Sequence, residues 1–166
     1  IEGHAKHLRR VEMAEPFADI RGRDGSRPRI LSFDSSTSSK IFEALLKCAR
    51  PLIDLIVFDT TCFSGGSGRI CRVLNWARSA TIPLVLLRSH TKLDSLGIEY
   101  GRLGSAVFPN SRGLSQHQKT FVQQLLTNTQ DAIRLFGGAA VPAHFPPFVG
   151  NQVHRSLTSR RIAALL

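Results

Sequence analysis

Two short polar clusters in this chain are placed to do chemistry together. The first, Asp59-Thr60-Thr61, closes the apolar run LIVF and is followed by glycines at 65, 66 and 68. The second, Ser89-His90-Thr91-Lys92, closes the run PLVLLR. A lysine at the end of a buried strand is partly desolvated, which disfavours its charged form and leaves a nucleophilic amine able to form a Schiff base. Ser89 and Thr91 flank it with hydroxyls that can bind a phosphate, and Asp59 offers a carboxylate to pair with a protonated ring nitrogen. Such a set suits pyridoxal phosphate, whose electron-sink chemistry needs a lysine linkage and an acidic partner for the pyridinium. In an open parallel sheet the carboxyl ends of the strands form the crevice where ligands bind, so both clusters are expected to face one opening.

Ser89-His90-Thr91-Lys92 is similar to the S-x-T-K segment of fold-type-I pyridoxal-phosphate enzymes of cysteine and methionine metabolism, the cystathionine synthase and lyase group. Upstream, Asp59-Thr60-Thr61 resembles their D-x-T segment, which also closes an apolar strand. The resemblance covers about residues 30–110 and is carried by the ordered pair of motifs rather than by either alone. It implies a PLP-dependent amino-acid lyase or transferase, or a fragment of one, with an aminotransferase-like three-layer large domain. Lys92 would be the imine lysine and Asp59 the pyridinium partner. Ser89 and Thr91 would hold the phosphate, Thr61 would sit near the ring, and His90 lies within the same set. The glycine-containing phosphate loop, the ring-stacking aromatic and the small C-terminal domain of the family have no counterpart, so the chain reads as part of its cofactor domain.

Two readings of other classes compete. Ser64-Gly65-Gly66-Ser67-Gly68-Arg69 follows a strand and opens a helix, and backbone N–H groups at such a turn can cradle a phosphate. Gly66-x-Gly68-x-x-Cys71 falls one residue short of the dinucleotide fingerprint, and Arg88 could meet a 2′-phosphate, which would make the chain a nucleotide-binding oxidoreductase domain. The third reading is a basic interaction or nucleic-acid module, drawn from a formal charge of +10. The basic residues gather at the ends, in HAKHLRR, RGRDGSRPR and HRSLTSRR, without interleaved aromatics for stacking bases, which disfavours nucleic acid. No Ser-His-Asp order or G-x-S-x-G elbow supports a hydrolase.

The elements that must position these clusters are legible from hydrophobic period. ILSFD is a short strand, the hydroxyl run Ser35 to Ser39 supplies N-caps, and Lys40 to Ala49 is a helix with Phe42, Leu45, Leu46 and Ala49 on one stripe. DLIVFD and PLVLLRS are strands whose unbroken apolar runs fit burial on both faces of a parallel sheet. Between them Arg69 to Ser79 forms a helix with Ile70, Val73, Leu74 and Ala77 inward. SAVF is a small strand bordering the same sheet, and a long helix runs from Ser115 to Gly137-Gly138, with Val122, Leu125, Leu126, Ala132, Ile133 and Phe136 on one face. Strand, helix, strand, helix, strand marks an α/β fold with a mostly parallel sheet.

This core is expected to span residues 30–138, preceded by a basic arm over 1–29 with a short helix near Ala5 to Met13. Residues 139–166 read as a proline-rich connector and the start of a C-terminal helix whose apolar end points to a longer polypeptide or an oligomer. With 166 residues, 42% of them hydrophobic, the chain can bury a core. Three cysteines without C-x-x-C spacing speak against a disulfide framework or a zinc site and for a reducing cytoplasm. Cys48 and Cys71, on the predicted helices, are expected to be buried and inert. No apolar run approaches the roughly 20 residues of a membrane-spanning helix.

Overall fold

The computed structural model describes residues 28–48, 51–63, 66–90, 104–109 and 112–135. Their elements follow in the order β1 (Ile30–Phe33), α1 (Ser39–Lys47), β2 (Leu55–Asp59), α2 (Gly68–Ser79), β3 (Leu84–Ser89), β4 (Gly104–Val107) and α3 (Gln116–Leu135). The strands form one unclosed sheet in the order β1-β2-β3-β4. The first three are parallel and β4 runs antiparallel to β3. The expected α/β class with a mostly parallel sheet is what the chain adopts. The expected N-terminal arm, the proline-rich connector and the C-terminal helix lie outside the described residues.

Parity along the strands decides which side chains meet the helices. Phe33 is opposite Phe58 and Ile56 is opposite Leu84, so these residues share one face of the sheet. They form the core with Phe42 of α1 and with Val73, Trp76 and Ala77 of α2. Both helices therefore cover the same face. Phe33 stacks on Phe58 with centroids 4.7 Å apart, and Phe63 tilts onto Phe58 at 5.3 Å. The two helices also hold each other. Trp76 Nε1 donates to the Cys48 carbonyl at 2.8 Å, satisfying an end-of-helix acceptor of α1. Arg72 grips Glu43 with two bonds of 2.7 Å, and this guanidinium holds the Glu43 carboxyl below its usual range. At the start of α1 the Ser38 hydroxyl accepts the Ile41 N–H, as the hydroxyl run led one to expect.

On the other face burial declines toward the carboxyl ends of the strands. Leu55 and Val85 are buried, Val57 is half-buried, and Leu87 is 37% exposed. Two-faced burial, expected from the apolar runs, thus holds where β2 and β3 begin and relaxes where they end. The cysteine expectation is corrected at Cys71, which is exposed, while Cys48 is half-buried at the end of α1. The inward positions of α2 are 73, 76 and 77, and Cys71 lies about 200° around the helix from Val73. On α3, Val122, Leu125 and Leu126 are half-buried, but no residue is buried and Ile133 is 56% exposed. Among the described residues no helix is long and apolar enough to cross a membrane.

The turn from α2 into β3 contains a strained residue. Ile82 N–H donates to the Ala77 carbonyl and Thr81 N–H to that of Arg78, the bonding pattern of a Schellman end. That pattern places Thr81 at the left-handed position, with φ 56°, where glycine is the usual choice. A β-branched side chain is costly there, and Gln118 of α3 helps to fix the site by donating to the Thr81 carbonyl at 2.9 Å. Thr81→Gly is expected to stabilise the fold by about 0.5–1 kcal/mol, the relief of left-handed strain exceeding the added entropy of the unfolded chain. A thermal melt checks this, and a lowered midpoint would show that the threonine makes contacts that outweigh its strain.

Candidate functional site

The ends of β2 and β3 are bound together by the polar residues that follow their apolar cores. Asp59 is opposite Leu87 in the ladder, and the chain past Asp59 turns sharply. Asp59 Oδ1 accepts the Thr61 N–H at 2.8 Å, a local turn that Asp makes readily, and Phe63 N–H returns to the Thr60 carbonyl at 3.0 Å. Thr60 gives both its N–H and its hydroxyl to the Leu87 carbonyl, at 2.7 and 2.9 Å. Thr61 Oγ1 accepts the Ser89 N–H at 2.9 Å. The first polar cluster and Ser89 thus meet at the ends of these adjacent parallel strands.

Their side chains divide between the two faces. Asp59 shares its face with Leu87, and Ser89 lies two residues beyond Leu87 on that same face. This is the face opposite α1 and α2, where Val57 and Leu87 form a partly exposed apolar floor. Gly104 is opposite Ser89 on β4 and adds no side chain there. Asp59 Oδ1 is engaged by Thr61, whereas Oδ2 has no protein partner among the described residues. Thr61 is buried, and because its oxygen accepts from Ser89 its hydroxyl hydrogen remains to be donated. The edge therefore offers an acceptor from Asp59 and a donor from the Thr61 hydroxyl beside an apolar floor.

Arg88 and His90 belong to the other face. Arg88 is opposite Ser105, and the ladder sets both on the side of Phe58 and Leu86. Arg88 Nη1 donates to the carbonyls of Thr60 and Phe63 at 2.7 and 2.9 Å. His90 is 7% exposed, and its Nε2 lies 2.8 Å from Ser105 Oγ. The structure thus brings together Asp59, Thr61 and Ser89 and places His90 against β4. Thr91 and Lys92 lie outside the described residues. In the competing nucleotide reading, Arg88 engages carbonyls through Nη1, and Arg69 donates to Ser39 at 2.8 Å while lying over the Phe42 ring. Ser67 caps α2 by position alone, without a side-chain bond.

Thr60 belongs to the first polar cluster by sequence, but its bonds to the Leu87 carbonyl and the place of Ser105 beside His90 emerge only from the strand pairing. Ser105 carried no signal in the sequence, because its position depends on the register of an antiparallel strand distant in sequence. Comparison with protein-family models, curated proteins and solved structures finds no match to this chain.

Proposed function

We propose that this chain is the cofactor-binding part of a pyridoxal-phosphate-dependent lyase or transferase acting on amino acids, with the three-layer arrangement of an aminotransferase-like large domain. The observation that supports it best is that Asp59 and Ser89 emerge on the same face, at the ends of adjacent parallel strands, over a partly exposed floor of Val57 and Leu87. The residues fit the group: a flat ring needs an apolar support, a pyridinium needs a carboxylate, and a phosphate needs donors. Asp59 Oδ2 would accept a proton-bearing ring nitrogen, Thr61 would donate near the ring, and Ser89 with Thr91 would hold the phosphate. Lys92, two residues past His90, would be the covalent anchor and, once released from that linkage, the base. When bound, pyridoxal phosphate supplies the electron sink for chemistry at an amino acid's α-carbon.

In this reading Asp59 keeps the ring nitrogen protonated, which is the step the protein itself controls. A neutral amide cannot do this. Asp59→Asn is therefore expected to weaken pyridoxal phosphate binding by about tenfold or more and to alter the absorption of the bound cofactor, as loss of a charge-assisted bond in a partly desolvated site requires. Spectrophotometric titration of the wild type and the variant measures both. Equal affinity and identical spectra would remove Asp59 from the role. A partner amino acid as substrate, a homo-oligomer or longer chain around this core, and a cytoplasmic setting accompany the proposal.

A further inference from the structure

We propose that Arg88 is a positioning residue for the candidate site, acting from the opposite face of the sheet. Its Nη1 lies between the carbonyl oxygens of Thr60 and Phe63, at 2.7 and 2.9 Å, and so spans the turn that carries Asp59 and Thr61 into view. The Thr60 carbonyl also accepts the Phe63 N–H, so a charged donor and a backbone donor close the same turn. A guanidinium suits this place because its fixed planar donors can reach several acceptors at once, and bonds from a charged donor are stronger than neutral ones. Arg88 is half-buried, which lowers competition from water. Thr60 and Phe63 are buried, and Phe63 packs on Phe58, so the turn is held from below by apolar contact and from the β3 side by charge. The carboxylate of Asp59 is fixed through the same turn, since its Oδ1 accepts the Thr61 N–H. Arg88 does not touch the proposed ligand. Its effect passes through residues 60–63, and its consequence for ligand binding rests on the pyridoxal-phosphate reading above.

Hydrogen exchange tests the clamp without any ligand. In Arg88→Met the amides of Thr61 and Phe63 are expected to exchange about tenfold faster, while those of Ile56 and Leu86 keep their wild-type rates, because only the turn is released. Arg88→Lys, which retains a charged donor, should recover most of the protection. If Arg88→Met does not fold, Arg88→Gln, which keeps a neutral donor, is measured in the same way. Unchanged rates at Thr61 and Phe63, or an equal acceleration across the whole sheet, would overturn the positioning role. Titration with pyridoxal phosphate then separates the two ideas. A localised loosening accompanied by about fivefold weaker binding supports both. Localised loosening with wild-type affinity overturns Arg88 as a positioning residue for the ligand. A wild type that binds no pyridoxal phosphate, with the turn still loosened in the variant, sinks the cofactor reading and leaves the clamp standing.

Discussion

Phe58→Ala is expected to cost about 3–5 kcal/mol of folding stability, the range for emptying a large aromatic site in a close-packed core. Phe58 has no exposed surface and contacts both Phe33 and Phe63 through its ring. It is also the residue immediately before Asp59, so the cavity opens directly under the candidate site. Small domains have only about 5–15 kcal/mol in total, and this one substitution therefore removes a large share. Urea unfolding at fixed protein concentration measures it. Phe58→Leu, which refills most of the space, should lose much less. A loss below about 1 kcal/mol for the alanine variant would mean that α1, α2 and the sheet do not share the core described here.

Lys92→Ala carries the largest expected functional effect. If Lys92 is the covalent anchor, its removal leaves no amine in the site to bond the cofactor's aldehyde, and the absorption of a bonded cofactor should vanish altogether. The lysines among the described residues, Lys40, Lys47 and Lys119, are exposed and lie on α1 and α3 rather than at the edge formed by β2 and β3. They should give only weak, nonspecific adducts that persist in the variant at the level of an unstructured peptide. A thermal melt of the variant, expected to match the wild type, separates loss of the anchor from loss of the fold. A full-strength absorption band in Lys92→Ala would transfer the anchor elsewhere.

Much of the architecture was legible because it follows from local pattern. The period-two and period-3.6 runs locate β1, α1, β2, α2 and β3 to within a residue or two, and the parallel arrangement follows from their alternation. That Asp59 and Ser89 open at the same edge also followed from the parallel strands. What could not be read is non-local. Arg88 looked available for a phosphate, yet parity turns it to the helix-covered face, where two carbonyls take its guanidinium. His90 shares its cluster with Ser89 in sequence, but its neighbour Ser105, 2.8 Å from Nε2, is set by the register of an antiparallel strand. Thr81 gave no sign of a left-handed turn because the sequence lacks the glycine that usually marks one. Cys71 seemed buried because it shares a helix with inward residues, although it lies on the far side. In each case the deciding fact is a register or a face, which depends on partners far away in sequence.

Borohydride reduction tests most directly whether Asp59 and Lys92 flank one cofactor site. The protein is incubated with pyridoxal phosphate, reduced so that any linkage to an amine becomes permanent, digested, and mapped by mass spectrometry. The expected result is a phosphopyridoxyl group on Lys92, at high occupancy in the wild type and much reduced in Asp59→Asn. Labelling spread over Lys40, Lys47 and Lys119 without preference for Lys92 would contradict the claim.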